Sequence, residues 1–236
     1  MKKLKQTISI VLTLFMLLIN YACTDLLIDD EGKKDEDIYL NYEIKTDLAL
    51  PFNEEWYIAG AGRDHENGLH HFVSRGVGQR YAIDAYIKVD GSTYSRDGKE
   101  NEDYYCFGKT LIAPAEGKVV GVVNHEDDIA PGANYDGDNA AGNYVIIDHL
   151  NGEYSQVAHF MKGTIVVNVG ENVVKGQELG KSGNSGSSTE PRLHYHIQNS
   201  PKSTSGLGLP ITFKKYYVDD VFVESGGLVK GQYVKN

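Results

Sequence analysis

Short runs of alternating apolar and polar residues dominate the chain, and glycine-rich turns separate them. Such runs are "RYAIDAYIKV", "GKVVGVV", "NYVIIDHL", "YSQVAHF" and "TIVVNV". A period of two places successive side chains on opposite faces of a β-strand. No amphipathic helical pattern longer than ten residues stands out in the sequence. Together with 26 glycines and 16 tyrosines, the pattern predicts an all-β, antiparallel domain.

The segment "TEPRLHYHI" alternates in an unusual way, because its polar positions are Arg192, His194 and His196. On a strand these three side chains share one face. Two imidazoles and a guanidinium on one face are consistent with a metal site, a degenerate metal site or an ordinary polar strand. Periodicity alone does not distinguish these three possibilities.

The first 22 residues have the order of a secretory signal. Three lysines precede an apolar stretch from residue 8 to residue 19, and Ala22 precedes Cys23. This order predicts a lipoprotein signal peptide over residues 1–22, with Cys23 lipidated in the envelope of a bacterium, on the periplasmic or outer-membrane face. Simple cleavage and an uncleaved anchor are the alternatives, because Asn20 stands where such signals usually carry leucine.

Composition then changes along the chain. Residues 23–46 include the acidic stretch "DDEGKKDED" and predict a tether, while residues 47–236 predict one domain. Removal of residues 1–22 takes away three of 23 basic residues and no acidic one, which leaves 20 against 33 and a net charge of −13. This charge argues against a nucleic-acid partner.

Cys106 has no cysteine partner other than Cys23, and it is predicted to be a small buried residue.

Histidines and one carboxylate supply candidate chemistry. Zinc binds imidazole nitrogen and carboxylate oxygen, and a catalytic zinc site has three protein ligands and an open fourth position. One histidine, Asp84 and one strand histidine would satisfy that number, and the spacing of 13 residues between His71 and Asp84 is not diagnostic. The histidines in stretches that could converge are His70, His71, His159, His194 and His196.

The region from residue 56 to residue 199 resembles the lysostaphin-like, LytM-type zinc metallopeptidases. The resemblance rests on "GNYVIIDH", "VAHF", "VNVGENVVKGQELG" and "SGSSTEPRLHYHI", and on the upstream "HHFVSRGVGQRYAID". It implies a two-sheet, sandwich-like duplicated hybrid motif with a groove over the larger antiparallel sheet. It also implies a zinc-dependent metalloendopeptidase that hydrolyses cross-links or stem peptides of peptidoglycan.

The same resemblance assigns roles to individual residues. Its zinc ligands fall on His71, Asp84 and His194, with His70 as the alternative to His71. Its histidine that acts as base falls on His159.

The chain departs from the family pattern where a second catalytic histidine is expected. That position is Arg192, and His196 is an extra imidazole two residues beyond His194. His196 shares the strand face of His194, so it could supply the missing catalytic imidazole and assist at the oxyanion, or it could orient a metal ligand. Arginine has only donors and stays charged, so Arg192 could steady an oxyanion but could not act as a base. The alternative function is therefore a catalytically impaired member of the family that binds peptidoglycan or regulates another cell-wall hydrolase. The expected partners are peptidoglycan peptides and, through Cys23, the membrane, and the expected state is a monomer.

Two unrelated functions also have some support in the sequence. "VNVGENVVKGQELG" resembles the hairpins of lipoyl and biotinyl carrier domains, but no lysine matches the position that those carriers modify. The tyrosines could stack on sugars in a carbohydrate-binding module, although tyrosine is also common in ordinary strands.

Overall fold

The computed structural model describes residues 41–62, 77–203 and 205–236. The predicted signal peptide and most of the predicted tether lie outside these residues, so the domain boundaries stay predictions. The described residues form two short 3₁₀ turns, Val77–Gln79 and Asn101–Asp103, and twelve strands. The strands are β1 (Trp56–Gly60), β2 (Ile83–Tyr86), β3 (Thr110–Ile112), β4 (Gly117–Val123), β5 (Asn143–Asp148), β6 (Tyr154–Phe160), β7 (Asn172–Val173), β8 (Glu178–Lys181), β9 (Leu193–Gln198), β10 (Phe213–Val218), β11 (Val221–Gly226) and β12 (Tyr233–Lys235). The all-β prediction is confirmed. None of the described helices is long and apolar enough to span a bilayer.

The strands form two antiparallel sheets. The larger sheet has ten strands in the order β11-β10-β12-β1-β2-β9-β6-β5-β4-β7, and β3 pairs with β8 in the smaller one. Residues 42–236 belong to one compact unit. The predicted two-sheet antiparallel architecture is therefore present, and β2, β9 and β6 lie side by side in the middle of the larger sheet.

Strand β9 is buried on both faces. Its odd-numbered residues Leu193, Tyr195 and Ile197 are fully buried and belong to the apolar core. Each apolar side chain of this kind contributes roughly 1.5–3 kcal/mol on burial. The even-numbered residues lie on the other face and are polar, so they need partners to offset the loss of water. One strand thus supplies core packing and candidate chemistry at the same time.

A bulge in β6 changes the direction of His159. Asn143 pairs with Phe160 and Tyr144 pairs with Ala158, so His159 is the extra residue between the two pairs. His159 has a φ of 63°, in the left-handed region that costs a residue with a side chain roughly 1–3 kcal/mol. In a regular strand His159 would face away from Ala158, whereas the bulge brings its ring to the polar face that carries His194.

The loop that precedes β9 packs closely against the loop that precedes β5. Gly186 has a φ of 75°, and a Cβ atom there would lie 2.3 Å from the backbone nitrogen of Gly142. Only glycine permits both the conformation and the approach. This contact fixes the position of Ser185, whose side chain accepts a hydrogen bond from the backbone N–H of Asn143 at 2.9 Å.

Candidate active site

Asp84 and His194 are direct neighbours on β2 and β9. The register of the two strands pairs them, so both side chains rise from the same face of the sheet. The Oδ1 atom of Asp84 lies 2.8 Å from the Nδ1 atom of His194, and both residues are buried. Sheet register thus brings together two residues that are far apart in sequence and have the donor chemistry of zinc ligands.

Gln198 has a fixed orientation at the far end of the same strand face. Its Nε2 atom donates to the carbonyl oxygens of Ser200 and Lys202, both at 2.8 Å. Its Oε1 atom therefore faces Nε2 of His196, at 3.2 Å. Because an amide oxygen only accepts hydrogen bonds, His196 must carry its proton on Nε2.

The position of the proton on His196 determines which ring nitrogen of His194 donates a hydrogen bond. Burial, reinforced by the nearby His194, lowers the pKa of His196 to about 3, so its ring is neutral and its Nδ1 atom has a lone pair. That atom lies 3.2 Å from Nε2 of His194, which must donate to it. A neutral His194 that donates from Nε2 points the lone pair of Nδ1 at the carboxylate of Asp84. A cation that both atoms ligate from one side, or a second proton on His194, relieves the repulsion between them.

His159 is held in one tautomer. Its Nδ1 atom lies 2.7 Å from the carbonyl oxygen of Ser185 and donates to it, so Nε2 has the lone pair. Burial lowers the pKa of His159 well below its usual value, and the charge of Arg192 and the proximity of His194 lower it further. His159 is therefore neutral, which is the protonation state that a general base needs.

The guanidinium of Arg192 covers the basic nitrogen of His159. Its Nη2 atom donates to Nε2 of His159 at 2.9 Å, and its Nη1 atom donates to Oγ of Ser188 at 2.9 Å. Its Nε atom lies 3.3 Å from Oδ1 of Asp84, as an ion pair without hydrogen-bond geometry. The position predicted to steady an oxyanion thus holds a buried cation that contacts both His159 and Asp84.

The chemistry of these residues fits a zinc site in part. Asp84 and His194 have suitable donor atoms, and the hydrogen bonds from Gln198 through His196 fix the tautomer of His194, as outer residues commonly do for a histidine ligand. His70 and His71, the alternative first ligands, lie outside the described residues. Among the residues that are described, no group of three His, Cys, Asp or Glu side chains could hold a metal ion.

A cavity of about 310 Å³ opens beside His159 and His194. The other residues that line it are Gln79, Ala140, Ala141, Gln156 and Ser187. Gln156 and Gln198 are not among the site residues predicted from the sequence. Both could have been found, because Gln198 continues the alternation of His194 and His196, and Gln156 lies on the strand that ends in "VAHF".

Cys106 is buried, as predicted. Burial raises the pKa of its thiol to about 12, and the thiol donates to the carbonyl oxygen of Pro191 at 3.0 Å. A thiol in this state is a poor nucleophile.

Residues 102–205 match the model of peptidase family M23. This range includes His159, Arg192, His194 and His196, and Asp84 precedes it. The chain is 46% identical over 57 residues to the peptidoglycan DD-endopeptidase ShyA of Vibrio cholerae, which is 24% of this chain and 13% of that protein. It is 31% identical over 100 residues to an uncharacterized metalloprotease of Haemophilus influenzae, which is 42% of this chain and 18% of that protein.

The chain is also similar to several solved structures. A mutant catalytic domain of the prophage-encoded M23 protein EnpA from Enterococcus faecalis has a TM-score of 0.43 at 20% identity, over 69% of this chain and 94% of that one. The catalytic domain of lysostaphin from Staphylococcus simulans has a TM-score of 0.38 at 22% identity, over 66% and 86%. The family match confirms the predicted resemblance to lysostaphin-like, LytM-type peptidases over residues 102–205, which are less than half of the chain.

Proposed function

We propose that this protein is a zinc-dependent metalloendopeptidase that hydrolyses peptide bonds of peptidoglycan. The family match supports peptidase chemistry, and the name of the Vibrio cholerae relative supports peptidoglycan as the substrate. The observation that carries the zinc proposal is the contact of 2.8 Å between Oδ1 of Asp84 and Nδ1 of His194, two buried groups with the donor chemistry of zinc ligands.

In this proposal Asp84, His194 and either His71 or His70 hold the ion. Bound zinc would supply a Lewis acid and lower the pKa of a bound water to about 7. The bulge and the carbonyl of Ser185 would hold His159 neutral, with Nε2 as the atom that accepts a proton. The guanidinium of Arg192 would leave that atom when substrate enters and donate to the peptide carbonyl oxygen, as an oxyanion donor does.

A second function is favoured by the contact between Arg192 and His159. If Arg192 stays in place, it occupies the only lone pair of the base and competes for the charge of Asp84. The protein would then be a catalytically impaired family member whose groove binds peptidoglycan or regulates another hydrolase.

Zinc analysis combined with peptidoglycan digestion separates these proposals. The lead proposal requires about one zinc per chain and release of peptide fragments that mass spectrometry identifies. The variant His194→Ala should lose both, while His125→Ala, at an exposed position, should keep both. Bound muropeptides without cleavage would favour the second function, and neither zinc nor muropeptide binding would contradict both.

We further propose that Cys23 is lipidated and anchors a monomer at the bacterial envelope, without a nucleic-acid partner. Metabolic labelling with a palmitate analogue should mark the wild-type protein in the membrane fraction. The variant Cys23→Ser should remain unlabelled, whereas Cys106→Ser should be labelled normally. Equal labelling of wild type and Cys23→Ser would contradict the anchor.

A further inference from the structure

Gln156 lies on the face of the larger sheet that carries the candidate site. Register pairs it with His196, two residues along β6 from Ala158, which pairs with His194. Its side chain lines the same cavity as His159 and His194. Gln156 is therefore placed beside the reacting groups without belonging to the proposed metal ligands or to the base.

The amide of Gln156 is buried without a partner. Only 1% of the residue is exposed, and within the described part of the chain neither Oε1 nor Nε2 has a hydrogen-bond partner. Oε1 of Gln79, in the wall of the same cavity, is also buried and has no hydrogen-bond partner among the described residues. Buried unpaired polar groups reduce stability, so their presence calls for an explanation. Gln198 is a useful contrast, because its amide has partners at both ends.

We infer that Gln156 is a substrate-positioning residue that holds the backbone N–H and C=O of one residue of an extended peptide in this cavity. The inference rests on the proposed function and deepens it by naming the group that is recognised. A primary amide has an acceptor oxygen and a donor nitrogen, so it pairs reciprocally with the N–H and C=O of a peptide. A carboxylate ligand would satisfy Nε2 and leave Oε1 unpaired, so the chemistry selects an uncharged amide.

The substitution Gln156→Leu should stabilise the fold and weaken the binding of ligand. It removes the unpaired amide from a buried site at similar volume, so the melting temperature should rise by about 2–4 °C. It also removes two hydrogen bonds to the ligand, so the dissociation constant for soluble cross-linked muropeptides should increase by ~10–100-fold. The melting temperature and the dissociation constant are both measured on the full chain by calorimetry, with and without one equivalent of zinc. Gln198→Leu is the matched control for stability, and its melting temperature should fall.

Nuclear magnetic resonance gives an independent signal. The side-chain NH₂ resonance that disappears in Gln156→Leu belongs to Gln156, and it should shift when muropeptides are added to the wild-type protein. Wild-type binding with unchanged affinity in Gln156→Leu, or a lower melting temperature in that variant, overturns the inference and leaves the proposed function standing. Failure of the wild-type protein to bind any muropeptide overturns both.

Discussion

Nε2 of His159 accepts a hydrogen bond from the guanidinium of Arg192 at 2.9 Å. The opposite ring nitrogen donates to the carbonyl oxygen of Ser185, so the ring has no second lone pair to offer. A base that is otherwise well prepared is covered by a charge that does not titrate at neutral pH. Whether that guanidinium moves decides between the two functions proposed above.

Substitution of Arg192 by histidine tests this contact directly. If the protein is the catalytically impaired family member, Arg192→His should raise peptidoglycan cleavage, because it uncovers Nε2 of His159 and removes a cation next to Asp84. General-base catalysis contributes ~10²–10⁴-fold, so a rise of at least ~10-fold in the rate of fragment release is expected if the contact silences the site. Arg192→Lys retains the charge and serves as the matched control. A lower rate for Arg192→His than for wild type would instead indicate that the guanidinium assists catalysis.

Loss of the amide of Gln198 should weaken metal binding without touching a ligand. Gln198→Leu removes the acceptor that fixes the proton of His196, and through it the tautomer of His194. Outer residues of this kind change metal affinity by ~10–100-fold, and competition with a coloured chelator measures the change. Gln177→Leu, on a different hairpin, should leave the affinity unchanged. Equal zinc affinity in Gln198→Leu and wild type would contradict the role of the hydrogen bonds that run from Gln198 through His196 to His194.

The two buried histidines make the metal-free fold sensitive to acid. The pKa values of His159 and His196 lie below that of an unfolded histidine, about 6.5. As the pH falls below about 6.5, the unfolded chain binds protons that the folded chain does not, so the free energy of unfolding decreases. Each histidine contributes a slope of up to about 1.4 kcal/mol per pH unit. This contribution is fully present above about pH 7 and is progressively lost below it.

Denaturant unfolding in the presence of a chelator, at several values between pH 7.5 and pH 5, measures this slope. His196→Gln should make it shallower, because it removes one of the two buried imidazoles. His125→Gln, at an exposed position, is the control and should keep the wild-type slope. An unfolding free energy that does not change over this pH range would contradict the buried neutral state of both rings.

The carboxylate of Glu153 ties the start of the described domain to the sheet. It is fully buried and accepts hydrogen bonds from the backbone N–H groups of Lys45 and Thr46 and from the hydroxyl of Tyr42. Glu153→Ala should reduce the free energy of unfolding by roughly 1–3 kcal/mol, because these donors lose their acceptor. Faster hydrogen exchange at residues 45 and 46 is expected, with Glu171→Ala as a control on another hairpin.

The sequence predicted several of the strands and the polar face of β9 because alternation acts over a few residues. The prediction of a strand for "TIVVNV" was wrong, because residues 164–169 form no strand. It also identified Cys106 as buried, since free cysteine is among the residue types most often buried. Local patterns could not give the register that pairs Asp84 with His194, nor the bulge that redirects His159, because both depend on residues distant in the chain. The side-chain network of Arg192 was missed for the same reason, as it joins Ser188, His159 and Asp84 through space.

The alternation of buried apolar and polar side chains along β9 has a practical consequence for engineering. Residues 193, 195 and 197 face the interior, and residues 194, 196 and 198 face the cavity side. A combinatorial library that varies positions 192 and 196 would change the polar side chains around the candidate site, while His194 and the hydrophobic half of the strand are kept constant. The same strand can thus be redesigned for a new reaction without repacking the protein around it.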